Sequence, residues 1–163
     1  MSTYDRNKAA EYARKYAISP NSEYHKFDND CTNFVSQALF VGGWPMIQGD
    51  KKMSTSWYYD KGAWFPGLIS PASYTWGGAS NFHAFLTWSR RAELVDGASK
   101  LGVGDVVQMS NGGQIHHTMI VTAGGSDLKL SYHTTNKLDE PLSKIVANSP
   151  GETFIYWKLR NSY

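Results

Sequence analysis

The sequence predicts an α+β fold, in which N-terminal helices pack on a C-terminal antiparallel sheet. Apolar residues recur at helical period up to about residue 91, and short alternating strands separated by Gly-rich turns follow from about residue 101. The 163 residues contain no internal repeat, low-complexity tract or linker. We therefore expect residues 1–163 to form one domain, long enough to bury roughly two-thirds of its unfolded surface.

Two helices are predicted near the N-terminus. Residues 4–18 place alanines and tyrosines among Arg and Lys at helical spacing, and Pro20 ends that pattern. The second helix begins around Cys31, presents apolar residues at helical spacing through Leu39 and stops at Gly42.

Between residues 43 and 81 the periodicity gives way to Gly, Pro, Ser and aromatic residues. A loop of this length in a compact domain is usually functional. Aromatic residues make up 14% of the chain, which suggests a groove for flat or amphipathic molecules such as sugar rings. We place Trp57, Trp64 and Trp76 along that groove. The alternative is that most of these rings belong to the core or to ordinary surface.

The remaining elements lead into the sheet. Residues 81–91 form the last helix that is predicted before it. Strands are predicted for residues 106–109, 117–122 and 128–133, joined by Gly-rich turns as an antiparallel meander. A one-turn segment at 141–145 and a final strand at 154–159 complete the chain.

Composition excludes several classes of protein. The net charge is +2, too small and too scattered for a surface that binds nucleic acid. No stretch approaches the length of a membrane span, and Met1 is not followed by a secretion signal, so we expect a trimmed fragment or export by another route. One cysteine cannot form an internal disulfide.

The only cysteine, Cys31, is the candidate nucleophile. It lies three residues before Phe34, so it points toward packed protein at the positive end of the helix dipole. This position favours the thiolate and is expected to lower the thiol pKa. Asp28, Asn29 or Asp30 can each accept a hydrogen bond from a free first-turn N–H, and Asp30 is the residue that we expect to support the site. The alternative is a small buried cysteine without chemistry.

A cysteine nucleophile needs a base and a third group that orients the base. His116 and His117 are adjacent, so on a strand their side chains point to opposite faces of the sheet and cannot both serve one site. The same geometry argues against a metal site formed by the two histidines, and we predict no metal and no cofactor. His117 shares a face with Met119, and it is the base if that face packs on the cysteine helix. His133 ends the next strand, beside His117 in a hairpin, and Asn136 is a competing third member.

Four blocks carry a resemblance to a known family. They are Asp-Cys-Thr-Asn-Phe-Val-Ser-Gln at 30–37, Leu-Gly-Val-Gly-Asp-Val-Val at 101–107, His-Thr-Met-Ile-Val at 117–121 and Ser-Tyr-His-Thr-Thr at 131–135. Together they resemble an amidase-domain family of bacterial cell-wall hydrolases, a branch of the papain-like fold shared with the NlpC-type and CHAP enzymes. The resemblance covers residues 4–159. It implies that Cys31 is the nucleophile, His117 the general base and His133 the orienting residue.

The resemblance also implies acyl transfer on peptidoglycan. The Cys31 thiolate attacks an amide carbonyl, the imidazolium of His117 protonates the leaving amine, and water then clears the thioester. The Cys31 N–H holds the oxyanion, helped by the Tyr24 hydroxyl. The expected activity is that of an N-acetylmuramoyl-L-alanine amidase, and the alternative is a stem-peptide or cross-bridge endopeptidase.

Two other classes stay open from the residues. One is a non-catalytic wall-binding or interaction module with an idle cysteine, and the other is a transferase that passes the thioester to an amine. We expect a monomer that is secreted or associated with the cell wall, as a remodelling enzyme, a phage lysin or a toxin domain.

Overall fold

The computed structural model describes residues 1–63 and 70–163. The helices are α1 (Arg6–Tyr16), α2 (Cys31–Val41), α3 (Tyr74–Gly77), α4 (Ala79–Ser89) and α5 (Leu142–Ala147), with 3-10 turns at Lys61–Ala63 and Ala98–Lys100. The strands are β1 (Ala92–Val95), β2 (Val106–Asn111), β3 (Gln114–Ala123), β4 (Lys129–Tyr132), β5 (Lys137–Pro141) and β6 (Thr153–Leu159). The predicted α+β class is confirmed. Within these ranges, no helix has the length and apolar character needed to cross a membrane.

All six strands belong to one antiparallel sheet in the order β1-β6-β2-β3-β4-β5. The meander from β2 to β4 matches the sequence prediction. The edge strands β1 and β5 have no counterpart in that prediction. β6 pairs with both β1 and β2, so the last strand of the chain lies inside the sheet.

The two faces of the sheet pack against different helices. Val106, Ile120 and Trp157 lie in a core shared with α1, α2 and α4. Met119 and Val121 lie in a second core that includes residues of α5. The condition under which His117 was expected to be the base, that the Met119 face packs on the cysteine helix, is therefore not met. The opposite face of β3 meets α2, and α5 covers the face that carries Met119.

The aromatic residues between α2 and α4 form part of the core. Trp57 and Trp76 are fully buried, with 0% exposure. Their indole N–H groups donate to Ser36 Oγ at 3.1 Å and to Asn33 Oδ1 at 2.9 Å. The prediction that these two rings line the substrate groove is wrong, because the single polar atom of each ring is satisfied inside the core. Trp64 lies outside the described residues.

A buried carboxylate joins the turn before β2 to α1 and β6. Asp105 is wholly buried, and it accepts hydrogen bonds from Arg6 at 2.6 Å and from Lys158 at 3.0 Å. The Leu159 N–H donates to the same group at 2.9 Å. Gly104, the preceding residue, has a φ of +84°, and a Cβ added there would lie 2.9 Å from the Arg6 Cβ. The turn is therefore fixed both by charge and by close backbone packing.

Candidate active site

Cys31 is the first residue of α2, and its side chain is 1% exposed. The S–H donates to Asn29 Oδ1 at 3.3 Å, and the sulfur lies 3.9 Å from the carbonyl oxygen of His116. The backbone N–H of Thr118 also interacts with the sulfur. The sulfur therefore lies against the β3 backbone on both sides of His117.

Burial raises the pKa of the Cys31 thiol. The N–H of Thr118 and the hydroxyl and N–H of Thr32 act in the opposite direction, because they can donate to a thiolate. Their effect is smaller, since the sulfur is almost wholly removed from water. The prediction that the helix start lowers this pKa is wrong, and the resting form is the thiol.

A buried chain of hydrogen bonds fixes the start of α2 on the sheet. Thr32 Oγ1 lies 2.8 Å from Thr118 Oγ1, which also accepts from Gln108 Nε2 at 3.2 Å. Gln108 Oε1 in turn accepts from the indole of Trp157 at 3.0 Å. All four side chains are buried. Because the chain runs from α2 through β3 and β2 to β6, it holds the neighbouring Cys31 in register with β3.

His116 and His117 lie at a β-bulge, where the pairing of β3 with β2 shifts between Met109 and Ser110. A bulge adds an unpaired residue and breaks the alternation of side chains along the strand. Both imidazoles line one cavity of about 420 Å³, which Asn29 also lines. The prediction that the two histidines point to opposite faces is wrong for this reason.

The two histidines nevertheless differ in environment. His116 is exposed, as predicted, and its Nε2 lies 2.9 Å from Glu152 Oε2. His117 packs edge-on against Tyr132, with ring centroids 5.0 Å apart. Burial lowers the pKa of His117 to about 4; the charge of His116 also lowers it, and that of Glu152 raises it. His117 is therefore neutral at neutral pH and can accept a proton.

Neither imidazole bonds the thiol in this structure. Within residues 1–63 and 70–163, the hydrogen-bond partners of the Cys31 sulfur are oxygen atoms and backbone N–H groups. Asn29 is the residue that links the two groups, because it contacts the sulfur and lines the cavity that holds His117.

His133 does not contact His117, so the structure corrects the prediction that it orients the base. Its Nδ1 lies 2.6 Å from Asp30 Oδ2, and its Nε2 lies 2.8 Å from the carbonyl oxygen of Tyr16. The ring stacks on Phe34 with centroids 4.0 Å apart. Both ring nitrogens of His133 are therefore engaged by groups other than His117.

The buried carboxylate of Asp30 supports the segment that leads into α2. Its Oδ1 accepts from the Phe27 N–H at 2.9 Å and from Asn33 Nδ2 at 2.8 Å, and its Oδ2 pairs with His133. Both members of the pair are almost fully buried, at 4% and 2% side-chain exposure. The pair ties the residues before Cys31 to the end of β4.

Within the described residues, two other predicted site residues, Tyr24 and Asn136, are not among the hydrogen-bond partners of the Cys31 sulfur. Tyr24 packs against Tyr59 with ring centroids 4.9 Å apart, and the Lys61 ammonium lies 4.8 Å from the Tyr24 ring centroid. Burial raises the pKa of Tyr24 to about 12. Asn136 lines a separate cavity of about 600 Å³ together with Lys26. These contacts assign Tyr24 to the aromatic core and Asn136 to a cavity that does not contain His117.

A groove passes over Asn29. One cavity of about 350 Å³ is lined by Asn29, Tyr74 and Asn81 among others, and Asn29 also lines the cavity that holds the two imidazoles. Tyr74 is 45% exposed, so it offers the ring surface that the sequence analysis expected from tryptophans. We call these two cavities, which share Asn29, the groove; one lies beside α3 and α4, and the other lies at the bulge of β3.

Sequence reasoning missed Tyr74, Tyr132 and Glu152, and it considered Asn29 only as a residue that could cap the start of α2. The position of Asn29 two residues before Cys31 is the signal that could have placed it beside the thiol. Glu152 carries no such signal, since it meets His116 only through the pairing of β6 beside β2. The part of the chain that the structure describes holds no cluster of three or more His, Cys, Asp or Glu side chains arranged to bind a metal ion.

Comparison with known proteins identifies one family and two relatives. A family model described as "Putative amidase domain" matches residues 3–157. The "Uncharacterized protein YhbB" of Bacillus subtilis (strain 168) is 35% identical over 125 residues, which cover 74% of this chain and 37% of that protein. The "Uncharacterized protein YjcM" of the same organism is 32% identical over 158 residues, which cover 90% of this chain and 35% of that protein. The chain thus spans little more than a third of the length of these relatives, and no solved structure gives a significant match.

Proposed function

This chain belongs to the amidase-domain family, and from that premise we propose that it is a cysteine-dependent hydrolase of amide bonds in peptidoglycan. Membership of the family supports amidase-like hydrolysis. The cysteine mechanism rests on one observation: the Cys31 thiol lies at the start of α2, 3.3 Å from Asn29, which lines the cavity that holds both imidazoles.

The proposed reaction has two halves. In the first, His117 takes the S–H proton of Cys31 while the sulfur bonds to the amide carbon, and the carbonyl oxygen becomes an oxyanion. The C–N bond then breaks, and the imidazolium of His117 gives its proton to the leaving amine. In the second half, His117 takes a proton from water as the water oxygen bonds to the thioester carbon. The C–S bond breaks, the thiolate regains the proton, and a carboxylic acid leaves.

The neutral state of the His117 ring favours this residue over His116 as the base. Because burial lowers the pKa of His117 to about 4, its ring is neutral at neutral pH, and its conjugate acid gives up a proton readily to a leaving amine. His116 is exposed and paired with Glu152. Attack therefore begins from a neutral thiol and a neutral imidazole, rather than from a preformed ion pair.

Peptidoglycan is proposed as the substrate because the four sequence blocks resemble those of cell-wall hydrolases. The groove supports this proposal, since the exposed ring of Tyr74 can stack on a sugar and the amides of Asn29 and Asn81 can bond to a peptide. The bond proposed for cleavage joins muramic acid to the first stem residue. We further propose that the chain acts as a monomeric domain on the outer side of the membrane, where this polymer lies.

A second candidate function is a non-catalytic module that binds the cell wall. The observation that favours it is the resting state of the nucleophile, because the Cys31 thiol is 1% exposed and its pKa is raised. The two functions differ in the reactivity of that thiol toward iodoacetamide and in the release of wall fragments.

The test is digestion of purified cell walls, followed by mass spectrometry of the soluble products. The parent protein is expected to release fragments with a new amino terminus on the first stem residue and a new lactyl carboxyl on the glycan. Cys31→Ala is expected to lower the release rate at least 1,000-fold, because it removes the nucleophile. His117→Ala is expected to lower it far more than the matched variant His116→Ala.

Each outcome has a defined meaning. Fragment release by Cys31→Ala at the parent rate contradicts the cysteine mechanism. Products with new ends inside the stem peptide assign an endopeptidase instead of an amidase. Equal losses in His116→Ala and His117→Ala contradict His117 as the base. Circular dichroism melting curves of all three variants confirm that each one is folded.

A further inference from the structure

We infer that Asn29 is a catalytic residue whose side-chain amide covers the Cys31 thiol in the resting enzyme and donates a hydrogen bond to the substrate oxyanion during thioester formation. This inference rests on the proposed function. It assigns to Asn29 the side-chain donor that the sequence analysis sought in Tyr24.

The position of Asn29 is the first line of support. Its Oδ1 accepts from the Cys31 S–H at 3.3 Å and from the Thr134 hydroxyl at 3.4 Å. The residue is exposed and lines two cavities, one beside α3 and α4 and one at the bulge of β3. Within the described ranges, the Nδ2 of Asn29 has no hydrogen-bond partner in the protein, so two N–H groups are available to a bound molecule.

The chemistry of an amide group is the second line of support. A thiol donates, so the amide presents its oxygen to the Cys31 sulfur in the resting state. When the sulfur has bonded to the carbonyl carbon, the group beside it is an oxyanion that needs donors. A half-turn about the Cβ–Cγ bond of Asn29 exchanges Oδ1 and Nδ2. The Thr134 hydroxyl can accept as well as donate, so that contact survives the turn.

The backbone supplies the other donor. Cys31 opens α2, and the first N–H groups of a helix have no partner within it. The Cys31 N–H interacts with its own sulfur, and after the half-turn the Asn29 Nδ2 would take the place that Oδ1 holds beside the sulfur. Two donors of this kind are the usual composition of an oxyanion hole.

The alternative is that Asn29 is only a steric cover for the thiol. Asn29→Leu separates the two roles, because leucine has nearly the same shape and keeps the cover but has no donor. Asn29→Asp keeps an acceptor for the thiol and also lacks a donor. Asn7→Leu is the matched control, because Asn7 is an exposed asparagine on α1 that lines neither cavity beside Cys31.

Two measurements test the inference on the intact protein. In the first, hydrolysis of soluble glycan–peptide fragments of peptidoglycan gives kcat and KM. Asn29→Leu and Asn29→Asp are expected to lower kcat about 100-fold, with KM changed less than about threefold, as for loss of one oxyanion donor. Asn7→Leu is expected to leave both constants unchanged.

The second measurement needs no substrate. The rate of iodoacetamide alkylation of Cys31 at pH 7 reports the thiolate, which the Asn29 N–H groups also stabilise. Asn29→Leu is expected to slow alkylation about tenfold, the effect of losing one hydrogen bond to a charged group. A parent-like alkylation rate or a parent-like kcat in Asn29→Leu overturns the inference.

Failure of the inference and failure of the proposed function give different results. If Cys31→Ala is inactive while Asn29→Leu retains the parent kcat, only the role of Asn29 is overturned. If Cys31→Ala releases fragments at the parent rate, the proposed function fails. In that case the alkylation rate of Asn29→Leu still decides whether the amide donates to the sulfur.

Discussion

The stability of the fold is expected to depend on pH through His117. Burial lowers the pKa of this imidazole to about 4 in the folded protein, against 6.5 in the unfolded chain. Between these two values, the unfolded chain holds a proton that the folded protein does not. The free energy of unfolding therefore decreases as the pH falls from 6.5 to 4, and this contribution is constant outside that window.

The size of the effect follows from the two pKa values. A difference of 2.5 between 6.5 and about 4, at 1.36 kcal/mol for each pKa unit, amounts to about 3 kcal/mol. This is the full loss of stability that His117 causes between pH 7 and pH 4. His117→Gln removes the titrating group and keeps a polar side chain of similar length. Between pH 7 and pH 4 we therefore expect the free energy of unfolding of the variant to decrease by up to about 3 kcal/mol less than that of the parent.

Urea unfolding followed by tryptophan fluorescence measures both proteins at intervals between pH 4 and pH 8. His116→Gln is the matched control, because His116 is exposed and paired with Glu152. The difference between parent and variant cancels the contribution of every group that the two proteins share. Parallel stability curves for the parent and His117→Gln over this range would refute the reasoning, because they would show that the imidazole titrates alike in both states.

Two further predictions concern the residues that hold the site. His133→Phe leaves the Asp30 carboxylate buried without its 2.6 Å partner. We therefore expect the free energy of unfolding, measured in urea, to fall by about 3 kcal/mol or more. A decrease below about 1 kcal/mol would show that the pair is dispensable. Gly104→Ala places a Cβ on a residue with a φ of +84°, 2.9 Å from the Arg6 Cβ. We therefore expect the free energy of unfolding to decrease by about 1–3 kcal/mol, which lowers the Tm. Gly124→Ala is the control for the second variant, since a Cβ there meets nothing within 4 Å, and equal Tm values for the two would contradict the prediction.

The sequence predicted the elements that follow a regular period. α2 could be predicted because its apolar residues recur at helical spacing and Gly42 ends it. The meander of β2, β3 and β4 could be predicted because each strand alternates and each turn is rich in glycine. The edge strands β1 and β5 are short, with four and five residues, and carry too little alternation to be recognised.

The candidate site was less predictable because it depends on departures from these periods. The bulge in β3 brings His116 and His117 to one cavity. Two adjacent histidines in a sequence give no indication that one of them has no partner in the neighbouring strand. His133 was predicted to orient the base, but it pairs with Asp30, which lies 103 positions away. Such a pair between distant residues forms only in the tertiary structure, and the local spacing of residues in the sequence does not reveal it.

The protonation state of Cys31 illustrates a competition that sequence alone cannot decide. The position at the start of α2 could be predicted, and with it the favourable effect of the helix dipole. The extent of burial depends on Asn29, Thr118 and the β3 backbone, which fold over the sulfur. Desolvation then outweighs the dipole and raises the thiol pKa.

The placement of β6 has a consequence for synthesis on the ribosome. Within residues 1–163 this strand is the last to emerge from the exit tunnel, yet it fills the gap between β1 and β2 in the finished sheet. Until it arrives, β1 has no neighbour to pair with, and Glu152 cannot reach His116. The sheet is therefore expected to stay incomplete until translation has passed residue 159, and the contacts that β6 brings to the candidate site form only after that point.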